Sequence, residues 1–267
     1  MPSDGLGPRT NQGAPSLSAL VVARNEQAQL AACLERLRFA NEIVLVLDRS
    51  TDRSAEIARS FGARVVEGIW ELEGPRRNAG LDQCRGDWIV EIDADERVPA
   101  ALADEIRSAI AQGESDIFLV PMANHIGTHR VRYGWGAYNG VAAKPILFRR
   151  GAKRWGAGRV HPRIDLTGRR GALAATLDHY VDRDIGDMFR RLNRYTDLAA
   201  LDALDAGRRP AMVQAVRRVF SRFWKSYVAR KGYREGAYGL ALGTFSALYP
   251  LLIYLKVATA KGEGDKK

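Results

Sequence analysis

Cysteine is almost missing from this 267-residue chain: Cys33 and Cys84 are its only two. A disulfide framework or a thiolate zinc site is therefore excluded, and nothing argues for an oxidising compartment. Two glycine signatures are missing as well. No G-x-x-x-x-G-K-[ST] occurs and no G-x-G-x-x-G follows the first apolar run, so ATP hydrolysis and hydride transfer lose their usual marks. From Met1 to Ser16 the chain is rich in Pro, Gly, Ser and Asn and lacks the apolar stretch of a secretion signal, which reads as a disordered tail on a cytoplasmic protein. Negative charge is the scarcer sign: 31 Asp and Glu face 41 Lys and Arg, a formal excess of +10. Such an excess points to phosphate-bearing partners, whether nucleic acid, an anionic membrane or phosphorylated substrates. No RNA- or DNA-reading motif accompanies it, so nucleic acid is not an expected partner.

What is present alternates. Leu17 to Ala23, Ile43 to Asp48, Ala63 to Glu67, Trp88 to Asp93 and Asp116 to Pro121 are short apolar runs suited to buried strands. Between them, helices are expected from Glu26 to Arg38, from Ser54 (as cap) to Phe61, from Pro75 to Cys84 and from Pro99 to Gln112. This alternation predicts an α/β fold with an open, mostly parallel sheet, whose ligands bind beyond the carboxyl ends of the strands. Polar clusters stand at three of those ends: Ala23-Arg24-Asn25-Glu26, Asp48-Arg49-Ser50-Thr51-Asp52 and Asp93-Ala94-Asp95-Glu96. Any one could be a turn or helix cap, but three at one sheet edge argue for a site. Asp93 and Asp95, two residues apart where the chain leaves a strand, can converge on a hard divalent cation whose shell is completed by water and substrate phosphates.

The set Val-Val-Ala-Arg-Asn-Glu, Leu-Asp-Arg-Ser-Thr-Asp-Arg-Ser, Arg-Arg-Asn-Ala-Gly and Asp-Trp-Ile-Val-Glu-Ile-Asp-Ala-Asp-Glu, between Leu17 and Val98, resembles the nucleotide-sugar half of family 2 inverting glycosyltransferases, which have a GT-A fold. Tyr133-Gly134-Trp135, Leu147-Phe148-Arg149-Arg150, Val160-His161-Pro162 and Leu192-Asn193-Arg194-Tyr195-Thr196 are similar to the branch holding lipopolysaccharide core β-glucosyltransferases. The resemblance implies a nucleoside pocket lined by Ala23, Asn25 and Glu26, with Asp48 on the uracil imide and Arg77 and Asn78 over the uridine or phosphates. It implies Asp93 near the ribose and metal, Asp95 as a ligand of Mg2+ or Mn2+, and a UDP-sugar as donor. Arg76 and Arg77 could instead form a solvated helix face. Relatives in this branch often carry Glu directly after the His of the V-H motif, where this chain has Pro162, so the base for the acceptor hydroxyl falls first to His161, with Asp165 and Asp178 behind it. His161 could instead complete the metal shell or be a structural histidine, and His179 fits a ligand or packing role equally.

Beyond Asp184 the chain reads as helical. Met212 to Lys231 sets Val216, Phe220, Phe223, Trp224 and Tyr227 at helical spacing against Arg218, Arg222 and Lys225, a basic amphipathic helix. Ala237 to Leu255 has no charged residue, but Pro250 and glycine and serine breaks weaken a single span. An interfacial, monotopic attachment to an anionic membrane surface through these helices is therefore expected, on the inner face of the cell membrane. The expected organisation is a tail at residues 1–16, a nucleotide-sugar and acceptor domain at 17–183, a helical extension at 184–260 and a charged tail at 261–267. The function the resemblance implies is inverting transfer of a hexose, glucose by that resemblance, from a UDP-sugar to a lipid-anchored saccharide acceptor such as lipopolysaccharide core; transfer to a polyprenyl phosphate or polyprenyl-linked oligosaccharide is the alternative.

Overall fold

The first four strands make one parallel part of the sheet. β1 (Leu17–Ala23), β2 (Glu42–Asp48), β3 (Arg64–Gly68) and β4 (Trp88–Asp93) pair in parallel, β2 and β4 flanking β1, and β3 outside β2 at the edge of the sheet. Every residue of β1 is buried, which is the condition of a strand covered by helices on both faces. The computed structural model describes residues 13–135, 142–158 and 162–260. Helices α1 (Leu30–Glu35), α2 (Ser54–Ser60) and α3 (Glu73–Leu81) join the first four strands. After β5 (Glu96–Arg97) and α4 (Ala100–Gln112) come β6 (Ile117–Ile126), β7 (His129–Arg130), β8 (Ala143–Arg149), β9 (Lys153–Trp155), β10 (Ile164–Leu166), β11 (Arg170–Ala172) and β12 (Leu177–Asp182). The sheet order is β3-β2-β1-β4-β8-β6-β12-β5, with β8 antiparallel to both neighbours; β9 and β10 form a separate ribbon. The fold is therefore α/β with a mostly parallel sheet flanked by helices, as expected.

Successive strands step away from β1 in opposite directions, β2 on one side and β4 on the other. A crevice opens between the carboxyl ends of such strands, which is where an open α/β sheet takes its ligand. One core layer packs Val21, Leu34, Leu45, Val90 and Ile106; the opposite layer packs Leu20, Val44, Leu81, Ile89 and Phe148.

The C-terminal part comprises α5 (Ile185–Asp205), α6 (Met212–Phe223), a π-helical turn at Trp224–Ala229, a 3-10 turn at Gly232–Glu235 and α7 (Ala237–Thr259). Met188 and Leu192 of α5 and Leu242 and Phe245 of α7 share a third core with Ile126 of β6. By length and composition α7 could cross a membrane, and 39% of its most apolar window is buried against the protein.

Four local expectations need correction. The helix expected from Glu26 to Arg38 is only α1, because residues 25–27 hydrogen-bond instead to the loop after β2 and to Ser54 at the start of α2. Ser54 does not cap α2: its amide donates to Asp52 Oδ1 at 3.0 Å, so Asp52 does that work. Pro250 and the glycines do not break α7, which runs on to Thr259. The apolar face of 212–231 splits, for Phe223 and Tyr227 pack toward Gly243 of α7 while Phe220 and Trp224 stay 71% and 64% exposed.

Candidate active site

The loops after β1 and β2 are tied to each other. Asn25 adopts a left-handed backbone (φ 54°), a conformation asparagine tolerates better than most residues. Its amide donates to Ser50 Oγ at 3.1 Å, and its Oδ1 accepts from the Thr51 amide at 2.9 Å. The Glu26 amide donates to Ser54 Oγ at 3.1 Å, and the Gln27 amide to Asp52 Oδ2 at 2.9 Å. Ala23 is buried at the strand end, Asn25 is exposed, and Glu26 is half-buried. Burial, with Asp95 and Asp52 nearby, raises the Glu26 carboxyl above its ordinary range.

Asp48 ends β2 with its carboxylate buried. It accepts from Arg49 Nε and Nη2 at 3.1 and 3.0 Å and from the Trp70 amide at 3.1 Å. Burial alone would push this carboxyl up, but the Arg49 and Trp70 hydrogen bonds outweigh it and hold the group below its usual range. Arg76 Nη1 approaches Asp48 Oδ2 at 3.6 Å, while Arg76 Nε is buried with no hydrogen-bond partner among the described residues. A guanidinium short of acceptors beside a strand-end crevice can take a phosphate or carbonyl oxygen.

Arg77 is one residue further along α3 and is wholly committed. Its guanidinium donates to Glu73, Glu91 and Asp93 at 2.7, 2.8 and 2.8 Å and lies 4.7 Å from the Trp155 ring centre. Burial would lower it, but those three carboxylates raise it well above its ordinary value. Neither Arg76 nor Arg77 belongs to a solvated helix face. Asn78 is committed too: its amide donates to the Trp155 carbonyl at 2.8 Å, and its Oδ1 accepts from the Trp155 amide at 3.0 Å. It thereby pins β9 to α3.

Asp93 and Asp95 differ in what surrounds them. Asp93 Oδ1 accepts from Arg77 and its Oδ2 from Lys144 Nζ at 2.9 Å; burial would raise it, but these two cations hold it well below the usual carboxylate range. Lys144 also reaches the buried Glu96, whose Oε2 accepts from the Asp93 amide at 2.8 Å. Asp95 Oδ2 stands 3.6 Å from His179 Nε2, and its Oδ1 is buried without a hydrogen-bond partner among the described residues. The other ring nitrogen of His179 meets Asn124 Oδ1 at 2.9 Å. Burial would lower the imidazole, but Asp95 and Glu96 raise it above its ordinary value.

No group of three or more His, Cys, Asp or Glu side chains converges for a metal among the described residues. The orphaned Asp95 Oδ1 nevertheless suits a hard cation, since Mg2+ takes one or two carboxylates and leaves its other positions to water and phosphate. Asp93, expected as a second ligand, has both oxygens already paired with cations. Of the base candidates, His161 lies outside the described residues. Asp165 pairs with Arg163 at 2.8 Å, both exposed. Asp178 faces His125 at 3.3 Å; as strand neighbour of His179 it projects from the opposite face, away from Asp95.

Sequence reading missed Lys144, Glu91, Lys153 and Trp155. Glu91 is buried among Arg77, Lys153 at 2.7 Å and the Trp155 indole at 3.1 Å. The signal was there in Trp88-Ile-Val-Glu-Ile-Asp, where a carboxylate sits in the middle of a strand buried on both faces and must be paired.

The glycosyl transferase family 2 profile matches residues 18–163, more than half of the chain, and the chain belongs to that family. It is 27% identical over 249 residues to the lipopolysaccharide core biosynthesis glycosyltransferase LpsC of Rhizobium meliloti (strain 1021), covering 90% of this chain and 91% of that one. An uncharacterized glycosyltransferase of Rickettsia bellii (strain RML369-C) is 25% identical across 82% of this chain and 78% of its own. Among solved structures, glucosyl-3-phosphoglycerate synthase from Mycobacterium tuberculosis, in complex with Mn2+, UDP and glucosyl-3-phosphoglycerate, is 24% identical over 42% of this chain and 44% of its own, with a TM-score of 0.36.

Proposed function

We propose that the chain is an inverting hexosyltransferase that moves glucose from UDP-glucose to a lipid-anchored saccharide such as a lipopolysaccharide core sugar. The family supplies the glycosyl transfer, and the likeness to LpsC along nearly the whole of both chains supports the acceptor class. One observation carries the donor side: Asp95 Oδ1, buried and without a hydrogen-bond partner among the described residues, in the turn just after β4, beside the crevice that an open α/β sheet offers its ligand.

In this reading Ala23, Asn25 and Glu26 line the nucleoside pocket and Asp48 accepts from the uracil imide. Arg76 takes an oxygen of the nucleotide, while Arg77 and Asn78 hold Asp93 and the Trp155 backbone in place beside it. Asp93, fixed by Arg77 and Lys144, faces the ribose. Asp95 ligates Mg2+ or Mn2+, with Asp93 nearby, and such a cation when bound neutralises charge on the departing diphosphate. His161 removes the proton of the acceptor hydroxyl, whose oxygen then attacks the anomeric carbon from the side opposite UDP. The protein works at the inner face of the cell membrane, held at an anionic surface by its C-terminal helices.

The test is UDP release from a panel of UDP-sugars by purified protein, with and without Mn2+ or Mg2+ and membrane extract. Release from UDP-glucose that needs both metal and extract, with a new sugar–sugar linkage, is the expected result. A sugar phosphodiester as product would move the acceptor to a polyprenyl phosphate, and failure with every UDP-sugar would overturn the donor.

A further inference from the structure

We infer that the groove between α6 and α7 is a binding site for the acyl chain of an anionic membrane phospholipid. The inference rests on the reading that these helices meet a membrane and adds the place where one lipid is held. The groove measures about 790 Å³, inside the ~300–1,000 Å³ span of small-molecule sites. Phe220, Phe223 and Trp224 form one wall and Ala247 and Leu248 the other. Its opening has a local cause. At Gly243 the helices meet so closely that an added Cβ would stand 3.3 Å from the Phe223 ring and 3.4 Å from Tyr227 Cβ. One turn on, Ala247 supplies little side chain, and the walls part.

The charge around the groove selects the ligand. Residues 206–234 hold nine Lys and Arg and no Asp or Glu. Arg217 and Lys225 both line the groove, ~12 Å apart along the helix at 1.5 Å per residue. Neither makes an ion pair among the described residues. Arg222 Nη1 is buried with no hydrogen-bond partner among them, and its guanidinium lies 5.3 Å from the Tyr249 ring centre. Beside these cations Phe220 and Trp224 face outward, the pairing of aromatic body and basic rim that suits a helix lying in a membrane interface. A headgroup phosphate answers the cations while its chain fills the apolar walls. A second copy of the chain would bring the same positive stretch against itself and is repelled.

The test uses the full chain with vesicles of phosphatidylcholine alone or mixed with phosphatidylglycerol, the acyl chains brominated to quench indole fluorescence. Flotation and quenching are expected with the mixed vesicles, and Trp224→Phe should remove most of the quenching. Thr244 is exposed and lines the groove, so Thr244→Phe plugs it without touching the core. Thr244→Phe should keep flotation at low salt and reduce the quenching of Trp224 to what surface contact alone leaves, with melting temperature and UDP release unchanged. Quenching equal to that of the unaltered protein would overturn the groove while leaving surface attachment standing. Failure to float with any vesicle would overturn the membrane reading itself. Light scattering that shows a dimer dispersed by Phe220→Asp would assign the groove to a second copy and overturn the lipid.

Discussion

Two carboxylates separated by one alanine do different work because one is saturated and the other is not. Asp93 balances buried Arg77 and half-buried Lys144; Arg77 keeps Glu73 and Glu91 and Lys144 keeps Glu96 when it is lost, so Asp93→Ala should cost ~1–3 kcal/mol, the range for unmaking a partly buried hydrogen-bonded charge. A lower denaturation midpoint in urea checks this. Among the described residues Asp95 has only His179, at 3.6 Å, as an ion-pair partner and its Oδ1 has none, so Asp95→Ala should leave the midpoint nearly unchanged while UDP release falls more than tenfold. A loss below tenfold, ~1.4 kcal/mol of barrier, would remove Asp95 from the metal role. Asp48 ends β2, two strands away from β4 and Asp93, and in the proposed reading it meets the base of the nucleotide. An interaction shared by ground and transition states appears in KM rather than kcat. Steady-state kinetics of Asp48→Asn should therefore show a raised donor KM with kcat little changed.

Between elements, Glu235 is the tie that holds the 3-10 turn before α7 to the segment after β7. It accepts from the Arg132 and Tyr133 amides at 2.7 and 2.8 Å and meets His129 Nε2 at 2.7 Å. Burial would raise its carboxyl, but these hydrogen bonds hold it below the usual range. The folded pKa being the lower one, this stabilisation is complete above the unfolded value of ~4.3 and is lost as pH falls through the folded value. Glu235→Gln should cost ~1–3 kcal/mol at neutral pH, and urea titrations should show the gap to the unaltered protein narrowing in acid. The legibility of the elements follows the same physics. β1 and β4 were readable to the residue because strands buried on both faces must be continuous apolar runs. The strand-end clusters were readable because turn and capping residues interrupt those runs. The Arg77–Glu91–Lys153 network was not, since β8 and β9 bring its partners from over fifty residues away through pairings that no local period encodes. Glycine misled in α7: Gly239 and Gly243 read as breaks, yet they are contact points, and a Cβ on Gly239 would run into the Gly232 carbonyl.

For the whole molecule the question is whether the C-terminal helices are an appendage or part of the fold. An amphipathic helix followed by one with no charge before Lys256 suggests a removable anchor, and cutting after Gly207 would then release a soluble catalytic domain. The packing argues otherwise. Leu242 and Phe245 of α7 are buried, at 0% and 3% exposure, against Ile126 of β6, Val131, Met188 and Leu192. Losing a buried Leu costs ~2–5 kcal/mol and a buried Phe ~3–5 kcal/mol. Together they approach the ~5–15 kcal/mol that stabilises a typical domain. A chain ending at Gly207 should therefore melt far below the full protein and expose Ile126 and Met188 to aggregation. Calorimetry and sedimentation of the two chains side by side check this. A truncated protein that stays monomeric and melts within a few degrees of the full chain would make α6 and α7 a detachable anchor. The expected collapse makes α7 at once a wall of the lipid groove and a beam of the core, so membrane attachment has to be probed by surface substitutions on the intact chain.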